Sequence, residues 1–148
     1  MRQRAFADGE AADRPDLRVF LLCRSGGAGM QRFGAACWSG DIDATFPSLE
    51  AQPAVGLSVG LSGVPYWGTD VGGFYRVAPN SEELFVRWFQ FGAFCPIFRA
   101  HGRVWREHLP WAHSPEAERS AAGTSSSATA CCRTRTRWPG RRTAAGFR

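Results

Sequence analysis

The chain contains no lysine: all 18 of its basic residues are arginine, in 148 residues. It has no run of about 18 apolar residues, which excludes a membrane-spanning helix in the sequence as it stands. The first residues, MRQRAFADGEAADRPD, lack the apolar core of a secretory signal. There is no CxxC pair and no Cys/His ligand spacing, so a structural zinc site finds little support. Cys23, Cys37 and Cys95 lie in apolar stretches and Cys131 and Cys132 are adjacent; they read as free thiols of a reducing compartment. Localisation stays open on these grounds, with the cytoplasm favoured.

Acidic residues are also missing from the last thirty positions. Residues 1–118 hold 11 Arg against all 13 acids, a net of −2, whereas 119–148 hold 7 Arg and no acid, a net of +7. The basic balance belongs to the tail alone. The remaining composition is globular: 44% hydrophobic and 13% aromatic side chains exclude a mainly disordered or collagen-like chain. The length suits one ordinary domain and is too short for a complete (β/α)8 barrel of roughly 250 residues.

Along the chain, residues 1–16 read as a loop or ragged start. LRVFLLCR (17–24), a continuous apolar run before a Gly-rich turn, has the pattern of a strand buried on both faces. FGAACW (33–38) gives a second short strand. Asp41 and Asp43 are candidate caps for a helix over 45–60, which Pro47 and Pro53 should kink or delay, since an interior Pro costs about 3 kcal/mol. LSGVPYWG (61–68) reads as the next strand, before the loop TDVGGF. Ser81 opens the strongest helix, whose broad apolar side is Leu84, Phe85, Trp88, Phe89 and Phe91. Phe94 to Phe98 is another short apolar segment, then a polar turn from Arg99 to Gly102. Strands alternating with helices point to an α/β fold with a parallel sheet or barrel. In such folds polar residues just past strand ends line the functional site, and Asp41, Asp70 and His101 occupy that kind of position.

Residues 17–111 resemble glycoside hydrolase family 31 in four ordered segments: RSGGAGMQRFGAACWSGDIDATF, LSGVPYWGTDVGGF, ELFVRWFQFGAFCPIFRAHG and PW. The resemblance implies a partial (β/α)8 TIM barrel (residues 17–118) from a retaining α-glucosidase or α-xylosidase, with an α-glycoside as substrate and no metal or cofactor. It matches Asp41 of WSGD to the general acid/base, which protonates the departing glycosidic oxygen and then takes a proton from water. Arg24 matches a substrate-binding Arg, the alternative being a salt bridge at the strand end. Trp38 offers a flat face to a sugar ring or serves as core. Asp70, Phe74 and His101 match residues of the sugar pocket, and Gly72 and Gly73 serve loop geometry.

The family's nucleophile, an Asp in a Trp-x-Asp-x-Asn-Glu type motif, has no counterpart before Arg24. Asp8, Asp13 and Asp16 lack the Trp and the preceding apolar strand. A retaining site needs two carboxyl groups roughly 5–5.5 Å apart, so the chain alone is expected to be inactive, with the missing half of the barrel a possible partner. An opened barrel leaves unpaired edges and favours aggregation. Gly27, Pro53 and Gly68 depart from the bulkier or helix-compatible residues expected there.

From about Ser120 the apolar periodicity stops. The low-complexity segment is either a disordered basic tail or the product of a shifted reading frame. A back-translation of GTSSSATACCRTRTRW (123–138), read from its third base, gives YVEFRYRLLPYTYSL. That peptide is amphipathic, rich in aromatics and similar to the family's segment after PW. A nucleic-acid-binding tail, with Arg charges on phosphate and Trp138 stacking on a base, and an inactive sugar-binding remnant are the competing functions.

Overall fold

The computed structural model describes residues 2–75, 81–103 and 108–136, with helix α4 taken as backbone alone beyond 132. Trp138 and the other residues of 137–148 lie outside the described residues. Four parallel strands, β1 (Leu21–Cys23), β2 (Ala35–Trp38), β3 (Trp67–Asp70) and β4 (Ile97–Arg99), lie in sequence order in one sheet. The register pairs Cys23 with Cys37, Trp38 with Gly68, and Asp70 with Arg99. Successive parallel strands joined by crossovers are the repeating unit of a (β/α)8 barrel, here four strands that do not close.

Helix α2 (Phe46–Leu61) connects β2 to β3, and α3 (Glu82–Gly92) lies between β3 and β4. Gly56 lets α2 come close to β3, because a Cβ there would stand 2.7 Å from the Trp67 ring. α3 buries Leu84, Phe85, Trp88 and Phe89, which with Val71, Ala44 and Ala121 form the main core. This is the apolar side read from the sequence except for Phe91, which is only half-buried. The Ser81 hydroxyl accepts the Leu84 N–H at 3.1 Å, capping the helix start.

Several expectations need correction. Residues 2–13 form a helix, α1, rather than a loop; the i,i+4 pairs Arg4–Asp8 and Arg14–Glu10 support its exposed surface. β1 is shorter than 17–24 and only half-buried, with Leu17 and Phe20 exposed, because β2 is its only neighbour among the described residues. α2 is not delayed. Pro47 occupies the first turn, where no intrahelical N–H bond is required, and the helix continues past Pro53. Its N-cap is Thr45, which accepts the Ser48 N–H at 3.2 Å, so neither Asp41 nor Asp43 caps it. Leu61 ends α2, and β3 starts only at Trp67, which places Asp70 inside the strand. Gly68 has no room for a larger residue, since a Cβ would lie 2.1 Å from the Ile97 carbonyl oxygen.

The low-complexity segment, a disordered tail on one of its two readings, is helical: α4 runs over Pro115–Thr136. Its start is fixed by Ser114, whose hydroxyl caps the Ala117 N–H at 3.2 Å and donates to Glu82 at 2.7 Å. Ala117, Ala121 and Ala128 are its buried positions, small enough for close packing.

Candidate active site

The C-terminal edge of a parallel sheet gathers the residues just past each strand, and here those are charged and aromatic side chains. Arg24 comes directly after β1, and Asp41 three residues after β2. Their ion pair is 2.9 Å, from Arg24 Nη1 to Asp41 Oδ2, with the Arg side chain 60% exposed and the Asp 23%. This hydrogen bond and charge raise the Arg24 pKa further. Gly40, with φ of +82°, turns the chain beneath the guanidinium, in a backbone region that costs other residues strain. The salt-bridge alternative for Arg24 is therefore met, with Asp41 as its partner.

The second group is Trp38, Asp70 and Arg99. Asp70 is fully buried, and its Oδ1 accepts from Arg99 Nε at 3.1 Å and Nη2 at 2.8 Å. The same guanidinium lies 5.0 Å from the Trp38 ring centroid, a cation–π arrangement. Burial pushes the Asp70 carboxyl up, against the hydrogen bonds and charge of Arg99 and the charge of His101, while Asp41 pushes it up further. Asp70 Oδ2 and Trp38 Nε1 are buried and find no hydrogen-bond partner among the described residues.

Phe74 and His101 form the third group, their ring centroids 5.6 Å apart at 42°. The loop carrying Phe74 is joined to the segment after Asp41: the Phe74 N–H donates to the Ile42 carbonyl at 2.7 Å and the Ala44 N–H to the Tyr75 carbonyl at 2.7 Å. Gly73 permits this joining. Its φ is +80°, and a Cβ would meet the Ala44 Cα at 2.5 Å. The expectation that Gly72 and Gly73 shape the loop agrees with their positive φ angles.

Sequence reading missed three supports. Arg99 was placed in a polar turn but is the last residue of β4, opposite Asp70. Thr69 Oγ1 accepts from Ser39 Oγ at 3.1 Å and from the buried Trp88 Nε1 at 3.3 Å, tying the segment before Asp41 to α3. His108 donates from Nδ1 to the Val71 carbonyl at 2.6 Å and fills the space beside Gly72 and Gly102. Only the strand register could have paired Arg99 with Asp70. For His108 the nearby glycines become a signal only once the fold brings them together.

Comparisons with known proteins agree on one family. The Glycosyl hydrolases family 31 TIM-barrel domain matches residues 1–135, running past residue 118. The chain is 47% identical over 97 residues to an α-xylosidase of Saccharolobus solfataricus, covering 64% of this chain and 13% of that protein. It is 49% identical over 88 residues to neutral α-glucosidase AB of Sus scrofa, covering 59% of this chain and 9% of that one. It superposes on a Flavobacterium johnsoniae family 31 dextranase complexed with glucose with a TM-score of 0.79 at 30% identity, covering 85% of this chain and 16% of the dextranase. The chain thus spans a small part of the length of each protein it matches.

Proposed function

The chain belongs to glycoside hydrolase family 31, and from that premise we propose that it carries the acid/base side of a retaining α-glycosidase site acting on α-glucosides or α-xylosides. Asp41 is the general acid/base in this reading. Arg24 holds Asp41 and reaches sugar hydroxyls through its exposed guanidinium. Phe74 and His101 form a wall of the sugar pocket, Trp38 offers its ring face, and Asp70 offers Oδ2 to a hydroxyl. The observation that carries the reading is the Arg24–Asp41 pair at the C-terminal edge of the sheet, on the same rim as Asp70 and the Phe74–His101 wall.

A retaining mechanism requires a second carboxylate roughly 5–5.5 Å from the first. Asp70 is committed to Arg99 inside the sheet, so the nucleophile belongs to the part of the barrel not in this chain, and the chain alone does not turn over. The competing reading is an inactive remnant with weak sugar binding. It is favoured by the burial of Asp70, which keeps that carboxylate away from solvent. The frame-shift reading of the segment from about Ser120 joins the proposal; resequencing the locus tests it, and a stop codon in the third-base frame sinks it.

The function is tested by replacing the matching segment of the Saccharolobus α-xylosidase with residues 17–118. The chimaera is expected to hydrolyse aryl α-xylosides. Asp41→Asn should lower kcat/KM for substrates with poor leaving groups by about 10²–10⁴ and spare kcat/KM for those with good ones, whose departure needs no acid, while turnover of the latter slows because water attack has lost its base. Equal retention of both activities refutes the role of Asp41. Calorimetry of the unaltered chain with maltose or isoprimeverose separates the remnant reading from a site that needs the rest of the barrel.

A further inference from the structure

The face of the sheet turned toward the helices carries a cluster of sulfur that the glycosidase reading does not use. Cys23 and Cys37 are register partners on β1 and β2, and neighbouring strands stand about 4.8 Å apart with in-register side chains on one face. Both cysteines border the buried cluster of Met30, Ala35 and Val64. Cys37 Sγ lies 3.7 Å from Met30 Sδ. Met30 is 3% exposed, and its thioether occupies the space beside Gly26, where a Cβ would come within 2.2 Å of the sulfur. The rest of the lining is aliphatic: Leu21 and Val59.

We propose that Cys23, Cys37 and Met30 form a binding site for one soft monovalent cation of the Cu(I) class. Two thiolates and a thioether select such an ion over hard cations, which require oxygen ligands and keep their water. Metal–sulfur bonds of about 2.3 Å in a trigonal plane separate the sulfurs by about 4 Å, close to the Cys37–Met30 spacing and to the distance between the strands. Binding exchanges two thiol protons, released to water, for one cation, and copper stays in its +1 state throughout. The bound ion would cross-link the ends of β1 and β2, the strands that present Arg24 and Asp41.

The test uses the full chain with Cys131→Ser and Cys132→Ser, which removes the exposed thiols of α4 from the count. The reduced protein is titrated without oxygen with Cu(I) supplied as its acetonitrile complex, against a Cu(I)-specific chelator. The expected result is one equivalent bound, with thiolate-to-copper charge-transfer absorption. Cys23→Ser should remove that absorption, and Met30→Leu, which keeps the packing, should weaken binding on the order of tenfold. Saturation should raise the thermal midpoint of the parent and leave that of Cys23→Ser unchanged. Copper uptake unchanged in Cys23→Ser, or affinity unchanged in Met30→Leu, overturns the site. So does a Cys23–Cys37 disulfide formed by exchange with oxidised glutathione, which leaves as two reduced glutathiones, in a protein that takes up no copper when reduced.

Discussion

Replacing Arg99 with Met removes the charge that faces Asp70 and keeps an apolar stem over Trp38. Asp70 is fully buried, and Arg99 supplies both hydrogen bonds to its Oδ1. The variant must therefore either bury an unpaired carboxylate or protonate it. Protonation limits the loss: with an unfolded pKa of about 3.9 and about 1.36 kcal/mol per unit, holding the proton at pH 7 costs about 4.2 kcal/mol, and at pH 5 about 1.5 kcal/mol. The upper figure agrees with the roughly 3–5 kcal/mol expected when one partner of a buried pair is lost. The sign follows from an acid whose folded pKa is raised. Its favourable contribution is complete below the unfolded pKa and is lost as pH rises through the folded one. The parent shares this direction, but Arg99 limits it, so the difference between the two proteins widens from pH 5 to pH 7. Urea unfolding followed by tryptophan fluorescence measures it, and the thermal midpoint at pH 7 should fall by roughly 8–16 °C. Asp70→Asn should cost much less, because Arg99 is partly exposed and can be hydrated, and adding it to Arg99→Met should recover most of the loss. A pH-independent cost for Arg99→Met, equal to that of Asp70→Asn, refutes the reasoning.

Three further outcomes rest on local geometry. Gly73→Ala should destabilise by about 1–3 kcal/mol, since its φ is +80° and the new Cβ meets Ala44, whereas Gly9→Ala, in open space within α1, should stabilise by about 0.5–1 kcal/mol; parallel urea titrations compare them. Ser81→Ala removes the cap of α3 and should cost about 1 kcal/mol, while Ser81→Asp should preserve stability; thermal unfolding reads both. Glu82 is held below the usual carboxylate range by hydrogen bonds from Ser114. The stability it adds is complete above an unfolded pKa of about 4.3 and is lost as pH falls through the lowered folded value. The gap in unfolding midpoint between parent and Glu82→Gln should accordingly shrink from pH 6 to pH 3.

Apolar patterning located the four strands and the helices α2 and α3, missed α1 and α4, and displaced β3 and β4 for one physical reason. The helix α3 was legible because its cap and buried side chains are all conventional choices for those positions. β3 and β4 were displaced toward their apolar flanks because their last residues are polar. Thr69 and Asp70 are tolerated inside the sheet only because Ser39, Trp88 and Arg99 satisfy them, and those partners lie 19 to 30 positions away in sequence. The residues proposed for the site are those the four ordered segments name, but their division into an open Arg24–Asp41 pair and a closed Asp70–Arg99 pair was not legible there. That division depends on the register, which puts Arg99 opposite Asp70.

The tail shows the converse. Its hydroxyls bond back along the helix, Thr124 to the Ser120 carbonyl at 2.9 Å and Thr129 to the Ser125 carbonyl at 2.8 Å, and alanines supply the contacts with the core. A segment of Ala, Ser and Thr can therefore hold a helix without apolar periodicity, provided one end is anchored as Ser114 and Glu82 anchor this one. Helicity over Pro115–Thr136 thus derives from composition and anchoring, and it has no bearing on the reading frame. The nucleotide sequence bears on the frame directly.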